Sequence, residues 1–451
     1  MIVPQFSIRQ DDKFIFVDIK APMAKIGETQ VDFDQEDLVF WSKPYHLRLK
    51  LPGPVVANGE ESVEWNADSN EFCLKVAKKN CGQHFEGLDM LTKLLTVKKK
   101  TTVNSQVEVL DSKNNDNDDV SEEEEEEDNE NYEWLIEQEE YKGDDESIIG
   151  QKYGFADRYS NILARFQEEI ADLIEIRVPE EKTKEKRKKD RIDADSERFN
   201  EDHYWSDLFD QADLIDAMCD FKADWEIVDM STFSFNEEEV FRLKNLPRRE
   251  YILSRREKFV ILLSLVDILF AYAYDVRTTE GEHSCESGWT ISKLSSSLCW
   301  LENFSSLNEA IVTCVQRSLV YPLYRNWNLS QKVLKDVEKI LRNGRSYIVK
   351  CFLDIHSIFN QSGDLRYIFN ELFITDYCVW LQGVKEYTFR SLANCFTQIK
   401  IKKSDLDLPI ELIEKAAFMA LDSPKDNSGE STDKDQTDKL EQQQAKHDNN
   451  N

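Results

Sequence analysis

The stretch "YHLRLKLPG", Tyr45 to Gly53, decides the front of the fold. Tyr45, Leu47, Leu49 and Leu51 alternate with His46, Arg48 and Lys50, the period of a strand with one face in a core and the other in water. "EFCLKVAK" repeats the pattern with Phe72, Leu74 and Val76, and "NADSN" just before it supplies turn residues after "SVEW", so "SVEWNADSNEFCLKVAK" reads as a hairpin. "FIFVDIK" and "VDFDQEDLVFW" add further strands. Several short strands close together predict a small β-sandwich over residues 1–97.

Over residues 98–149 the apolar pattern collapses. "VSEEEEEEDNE" is a run of like charge that buries too little surface to offset its ordering entropy, which predicts an acidic, largely disordered linker. Inside it "YEWLIEQEEY" groups Tyr132, Trp134, Leu135 and Ile136. Two readings stand: a short segment that docks on a folded neighbour, or isolated apolar residues in a disordered tract. The same poverty of apolar surface predicts that the parts on either side fold independently.

From residue 150 to 421 the period is helical. "YSNILARFQEEIADLIEI" aligns Ile162, Phe166, Ile170 and Leu173, and "LSQKVLKDVEKILRNG" aligns Val333, Val337, Ile340 and Leu341 ahead of a C-cap glycine, Gly344. "LNEAIVTCVQRSLV" aligns Leu307, Ile311, Val315 and Leu319. "FVILLSLVDILFAYAY", Phe259 to Tyr274, is apolar but short for a membrane span and carries Asp267, which predicts a buried helix. "LPIELIEKAAFMAL" is the last folded segment expected, and the polar residues 422–451 read as a disordered tail.

The chain of 451 residues carries 57 Lys and Arg against 88 Asp and Glu, a formal charge of -31, so nucleic-acid phosphates meet a repulsive field and a basic protein is the more natural partner. Its nine Cys show no close pairing and mostly occupy apolar runs, which predicts reduced, buried thiols and no disulfide. "MIVPQFSIRQDDKF" has no basic start followed by a long apolar stretch, so no signal peptide is expected.

No HExxH, GxSxG or metal-site grouping of His and Cys occurs. "GQHFEGLD" spaces Gly82 and Gly87 like a phosphate loop but puts Leu88 and Asp89 where Lys and Ser or Thr would hold phosphate and magnesium. Paired carboxylates such as Asp405 and Asp407 arise by chance in so acidic a chain. No enzyme activity, cofactor or metal is expected. In "EEKTKEKRKKDR", Lys186, Arg187, Lys188 and Lys189 read either as a nuclear-import signal or as a solvated helix face laced with Glu185 and Asp190.

"RSLVYPLYRNWNLS" gathers Tyr321, Tyr324 and Trp327 where Pro322 must end a helix. Tyr324, Arg325 and Trp327 are therefore candidate partner contacts, since aromatics and Arg anchor interfaces, or else they pack a helix junction. Tyr377 and Trp380 in "FITDYCVWLQ" join them as candidates.

Taken together, "KPYHLRLKLPGPVVANG", "GQHFEGLDMLTKLL", "YGFADRYSNI", "FNEDHYWSDLF", "LVDILFAYAYDVRTTEGEHSCESGWTISKLSSSLCWLE", "VYPLYRNWNL" and "FITDYCVWLQ" resemble the Shq-type assembly chaperones of H/ACA ribonucleoproteins. The resemblance covers both folded parts and implies a CS domain, the fold of small heat-shock proteins, followed by an all-helical Shq-specific domain. It implies a chaperone that binds the free pseudouridine synthase subunit, covers the surface its guide RNA will occupy, and is released by AAA+ ATPase machinery. It further implies residence in nucleoplasm and cytoplasm, with no direct nucleic-acid or membrane partner. The alternative is a general CS-domain co-chaperone of a heat-shock ATPase.

Overall fold

The computed structural model describes residues 3–95 and 151–422, except 23, 25–28, 57, 59–60, 67–70, 167–168 and 322–323. The front is an antiparallel sandwich of β1 (Gln5–Gln10), β2 (Phe14–Lys20), β3 (Gln30–Ser42), β4 (Tyr45–Val56), β5 (Ser62–Asn66) and β6 (Glu71–Lys78), in the order β1-β2-β6-β4-β3 with β5 on β6. Alternation sets the register: Leu47 and Leu49 of β4 are fully enclosed while Arg48 and Lys50 face water. The expected hairpin pairs Ser62 with Lys75 and Trp65 with Phe72. Phe40 of β3 meets Phe72 of β6 at 5.1 Å although β3 hydrogen-bonds to β4, so the β3–β4 ribbon lies face to face with the β2–β6 layer.

A short helix, α1 (Leu91–Leu94), leaves the sandwich. The helices that follow are α2 (Lys184–Arg198), α3 (Glu201–Phe209), α4 (Ala212–Asp220), α5 (Asp224–Ile227), α6 (Glu237–Asn245) and α7 (Arg255–Thr278). Next come α8 (Ser287–Leu294), α9 (Ser296–Cys299), α10 (Leu307–Val320), α11 (Trp327–Asn343) and α12 (Arg345–Gln361). A continuous helical run then passes from α13 (Tyr367–Phe369) through a π-helical turn, Asn370–Ile374, into α14 (Thr375–Leu381), and α15 (Glu386–Gln398) follows. Residues 409–422 belong to a separate compact unit and form α16 (Ile410–Asp422).

The apolar α7 is the axis of the helical region, packed by α8, α10 and α11. Asp267 within it is 1% exposed and accepts hydrogen bonds from Ser295 Oγ at 2.6 Å and Ser297 N at 2.9 Å, so the polar break in this apolar run is satisfied inside the protein. The α10 and α11 readings hold: Leu307, Ile311, Val315 and Leu319 are buried, as are Val333, Val337, Ile340 and Leu341, and Gly344 ends α11 at φ 87°.

One expectation fails. Residues 159–176 are not one α-helix but short 3₁₀ turns, Leu163–Phe166 and Ile170–Asp172. The Tyr153 hydroxyl accepts the Ile162 and Leu163 amides at 2.9 Å each, Asn161 sits at φ 58°, and Glu175 N donates to Cys299 O, so tertiary bonds claim the groups a helix would use. The two folded parts, expected to fold independently, are in contact. Thr92 Oγ1 of α1 donates to Leu243 O of α6, Ser346 Oγ to Asp89 at 2.7 Å, and Lys244 Nζ to Pro4 O at 3.0 Å. Among the described residues the seam is made by the ends of the sandwich; residues 98–149 lie outside them.

All nine thiols are free, but only Cys299, Cys314, Cys351 and Cys378 are buried, while Cys81 and Cys285 are exposed.

Candidate partner interface

α10 ends at Val320, and Tyr321 is extended at φ -108°, ψ 172°, the conformation a residue before proline adopts; Pro322 itself lies outside the described residues. The junction beyond is tied down from three sides. The buried Tyr274 hydroxyl donates to Tyr324 O at 2.8 Å and accepts from Tyr324 N at 3.2 Å. Asp207 of α3 accepts Arg325 N at 2.7 Å and faces its guanidinium at 3.4 Å, and Asn326 caps α11. Tyr321 lies between Arg317, 4.4 Å from its ring, and Arg198 at 5.6 Å, and Lys403 stands 5.7 Å over Trp327. Tyr324, Arg325 and Trp327 are thus brought together, each half-buried.

Tyr377 and Trp380 belong to a different cluster. Phe155 meets Tyr377 at 5.0 Å, Trp380 at 5.9 Å and Tyr251 at 5.2 Å. Tyr377 is 1% exposed and donates to Ile261 O at 2.7 Å, so its expected role as a contact is corrected to a core role; Trp380 stays half-buried. Beside them Asp376, fully enclosed, accepts Tyr159 and Tyr251 hydroxyls at 2.6 Å each and pairs with Arg249 at 2.9 Å. Burial, then the bond to Asp376, pushes the Tyr159 hydroxyl up to about 12. The loop over this cluster is strained: Ala156 and Asp157 are left-handed at φ 53° and 51°, a cost of roughly 1–2 kcal/mol each, held by Asp157 to Lys184 at 2.6 Å and Asn303 at 3.1 Å. Glycine is required at 154, where a Cβ would come within 2.8 Å of Leu372 O. A cavity of about 270 Å³ opens between this loop and the start of α7.

The basic run begins just ahead of α2 and continues through its first turns. Lys186 pairs with Asp190 at 2.8 Å and Lys188 with Glu309 at 2.5 Å, and Lys189 is exposed. Arg187, by contrast, is wholly buried and donates to the carbonyls of Lys152, Pro179, Lys182 and Leu301, so it is a structural residue that a receptor could not reach in the folded chain.

The feature the sequence reading overlooked lies on α3 and α4. Residues 201–221 hold seven carboxylates and no Lys or Arg. Ile215 and Met218 anchor α4, which leaves Asp213, Asp216 and Asp220 exposed with Leu214, and on α3 Glu201, Asp202 and Trp205 are exposed, as is Asp210 at its C-terminus. Like charges three and four residues apart cost a helix about 0.2–0.5 kcal/mol per pair, and Asp210 and Asp220 stand at helix C-termini, where the dipole disfavours them. Their spacing was visible in the sequence; what it did not show was which side faces water.

Arg277 of α7 holds the end of α4. Fully buried, it donates to the Met218, Cys219 and Phe221 carbonyls at the end of α4 and pairs with Asp336 of α11 at 2.6 Å and Glu226 at 3.1 Å. Trp225 Nε1 donates to Asp336 at 3.0 Å. Burial raises the Glu226 carboxyl, but hydrogen bonds from Lys332 and Arg277 more than reverse this and leave it below the usual range.

The two parts, an antiparallel sandwich and an all-helical region, match the two domains of one family of assembly chaperones. The family described as "SHQ1-like, CS domain" matches residues 3–95, and that described as "SHQ1 protein, Shq1 domain" matches residues 225–410. The chain is 37% identical over 430 residues to a protein SHQ1 homolog of Danio rerio, covering 93% of this chain and 72% of that protein. To its Caenorhabditis elegans counterpart it is 33% identical over 93% and 97% of the two chains, and to the Schizosaccharomyces pombe protein shq1 31% over 92% and 96%. The chain belongs to the SHQ1 family, the assembly chaperones of H/ACA ribonucleoproteins.

Proposed function

We propose that this chain binds the free pseudouridine synthase subunit of H/ACA ribonucleoproteins, covers its RNA-binding surface, and protects it until guide RNA is loaded, in nucleoplasm and cytoplasm, with release by an AAA+ ATPase. The carrying observation is the run of exposed carboxylates on α3 and α4, interspersed with the exposed Trp205 and Leu214 and free of any Lys or Arg. An RNA-binding surface must be basic where it holds phosphate, and carboxylates on a rigid helix pair present acceptors in the same sense. Tyr324, Arg325 and Trp327, half-buried beside α3, to whose Asp207 Arg325 is bonded, are the candidate aromatic and Arg anchors. Trp380 is the remaining aromatic of this kind.

Asp210→Lys with Asp220→Lys separates binding from folding, because cations at helix C-termini favour the fold by about 0.3–1 kcal/mol each. Association with the RNA-free synthase should slow by about tenfold or more at low salt, converge with wild type at high salt, and occur with no loss of thermal stability. Guide RNA should compete. Full-affinity binding of RNA and chaperone together to one synthase would end the proposal.

A further inference from the structure

Arg248, Arg255 and Arg256 are exposed where the loop "PRREYILSRR" runs into α7, and among the described residues their side chains form no ion pair. In a chain of net charge -31 this is a basic patch, and Ile252 within it stands 101% exposed. It borders the 270 Å³ cavity, whose mouth holds Arg256 and Lys184 and whose wall includes Val260, Phe373 and Tyr377. Of the carboxylates that line the cavity, Asp157 is engaged by Lys184 and Asn303 and Glu257 by the Ser254 cap, while Glu250 is exposed in the loop itself, against four arginines there. That leaves a partly apolar recess with Arg256 at its edge and a loop of net positive charge beside it, which fits an acidic peptide with aromatic or aliphatic anchors.

We propose that its occupant is "YEWLIEQEEY", residues 132–141 of this same chain, with Trp134, Leu135 and Ile136 in the recess and the flanking glutamates on the arginines. The segment carries four Glu and no cation. It is tethered beside the site, because Gly154 and Phe155 line the cavity, and the chain between Ile136 and Gln151 reaches up to about 50 Å. Such a tether supplies an effective concentration of order mM, so even weak intrinsic affinity yields an occupied groove. This contact is independent of the synthase reading.

Hydrogen exchange on the full chain tests it. Replacing Trp134, Leu135 and Ile136 together by Ala should speed exchange at residues 154–157 and 255–262 by about tenfold while leaving the unfolding midpoint unchanged. Arg255→Glu with Arg256→Glu should do the same, and adding Glu133→Arg and Glu137→Arg should restore protection. Protection independent of protein concentration supports docking in cis. Protection that rises with concentration would assign the groove to a second copy and overturn the proposal, as would unchanged exchange in both variants.

Discussion

In the front sandwich the buried strand residues are apolar apart from Ser42 and Lys78, and Lys78, among the described residues the one deeply buried cation there, sits at the rim, met by Gln10 Oε1, Asp11 O and Gln83 O at 2.7–2.8 Å. In the helical region Arg187, Arg191, Arg277 and Arg317 are all at most 3% exposed and run through the core itself. Arg191 meets Glu302 at 3.0 Å and Arg317 meets Asp195 at 2.7 Å, partners 111 and 122 residues away in sequence. The sandwich is specified by a pattern contained within each strand. The helical region is specified by charge pairs that exist only once distant helices meet, and such pairs are costly to break singly while adding little net stability over an apolar substitute.

That contrast is most exposed at Asp336. Asp336→Ala strands Arg277 in the core and should cost about 3–5 kcal/mol by denaturant unfolding, whereas Arg277→Met with Asp336→Leu should fall much nearer to wild type. Equal losses in the two variants would show that the pair stabilises outright. In the sandwich, Leu47→Ala should cost about 2–5 kcal/mol through the cavity it leaves, and no second substitution at a distant charged site should restore it.

A smaller effect concerns pH. His283 is bonded by Asp275 at 2.8 Å and Asp354 at 3.1 Å; burial lowers its pKa, but these bonds carry it up to about 9 from 6.5. Because the folded value is the higher, its contribution is complete below pH 6.5 and is lost as pH rises through 9. Wild type should lose about 2–3 kcal/mol across that window, and His283→Gln should flatten the profile. The smallest effect is at the seam: Thr92→Ala removes a donor from Leu243 O and should cost about 1 kcal/mol, with faster exchange at α6. No change at α6 would return the two parts to independence.

Where backbone and apolar period agreed, elements were legible before folding was considered: β2 and β4 to β6, α10, α11 and its Gly344 stop. Residues 159–176 had the same period and did not form the helix, because Tyr153 and Cys299 offered their amides other partners. The site was half legible. Tyr324, Arg325 and Trp327 do gather at the bend, yet "FITDYCVWLQ" gave no sign that Tyr377 would be enclosed and Trp380 half-buried, since both lie on one helical turn whose facing depends on the π-helical segment before it.

By itself, then, the sequence determined the sandwich, the buried α7, the net acidity and the family, because alternation, composition and motif order are local or summed quantities. Only the tertiary structure decided that α1 is sewn to α6, that Arg187 is enclosed rather than presented, and which carboxylates of α3 and α4 are left exposed. Each of those depends on which surfaces meet across a hundred residues or more, and on Arg277 holding the end of α4 against α11, information that no window of sequence contains.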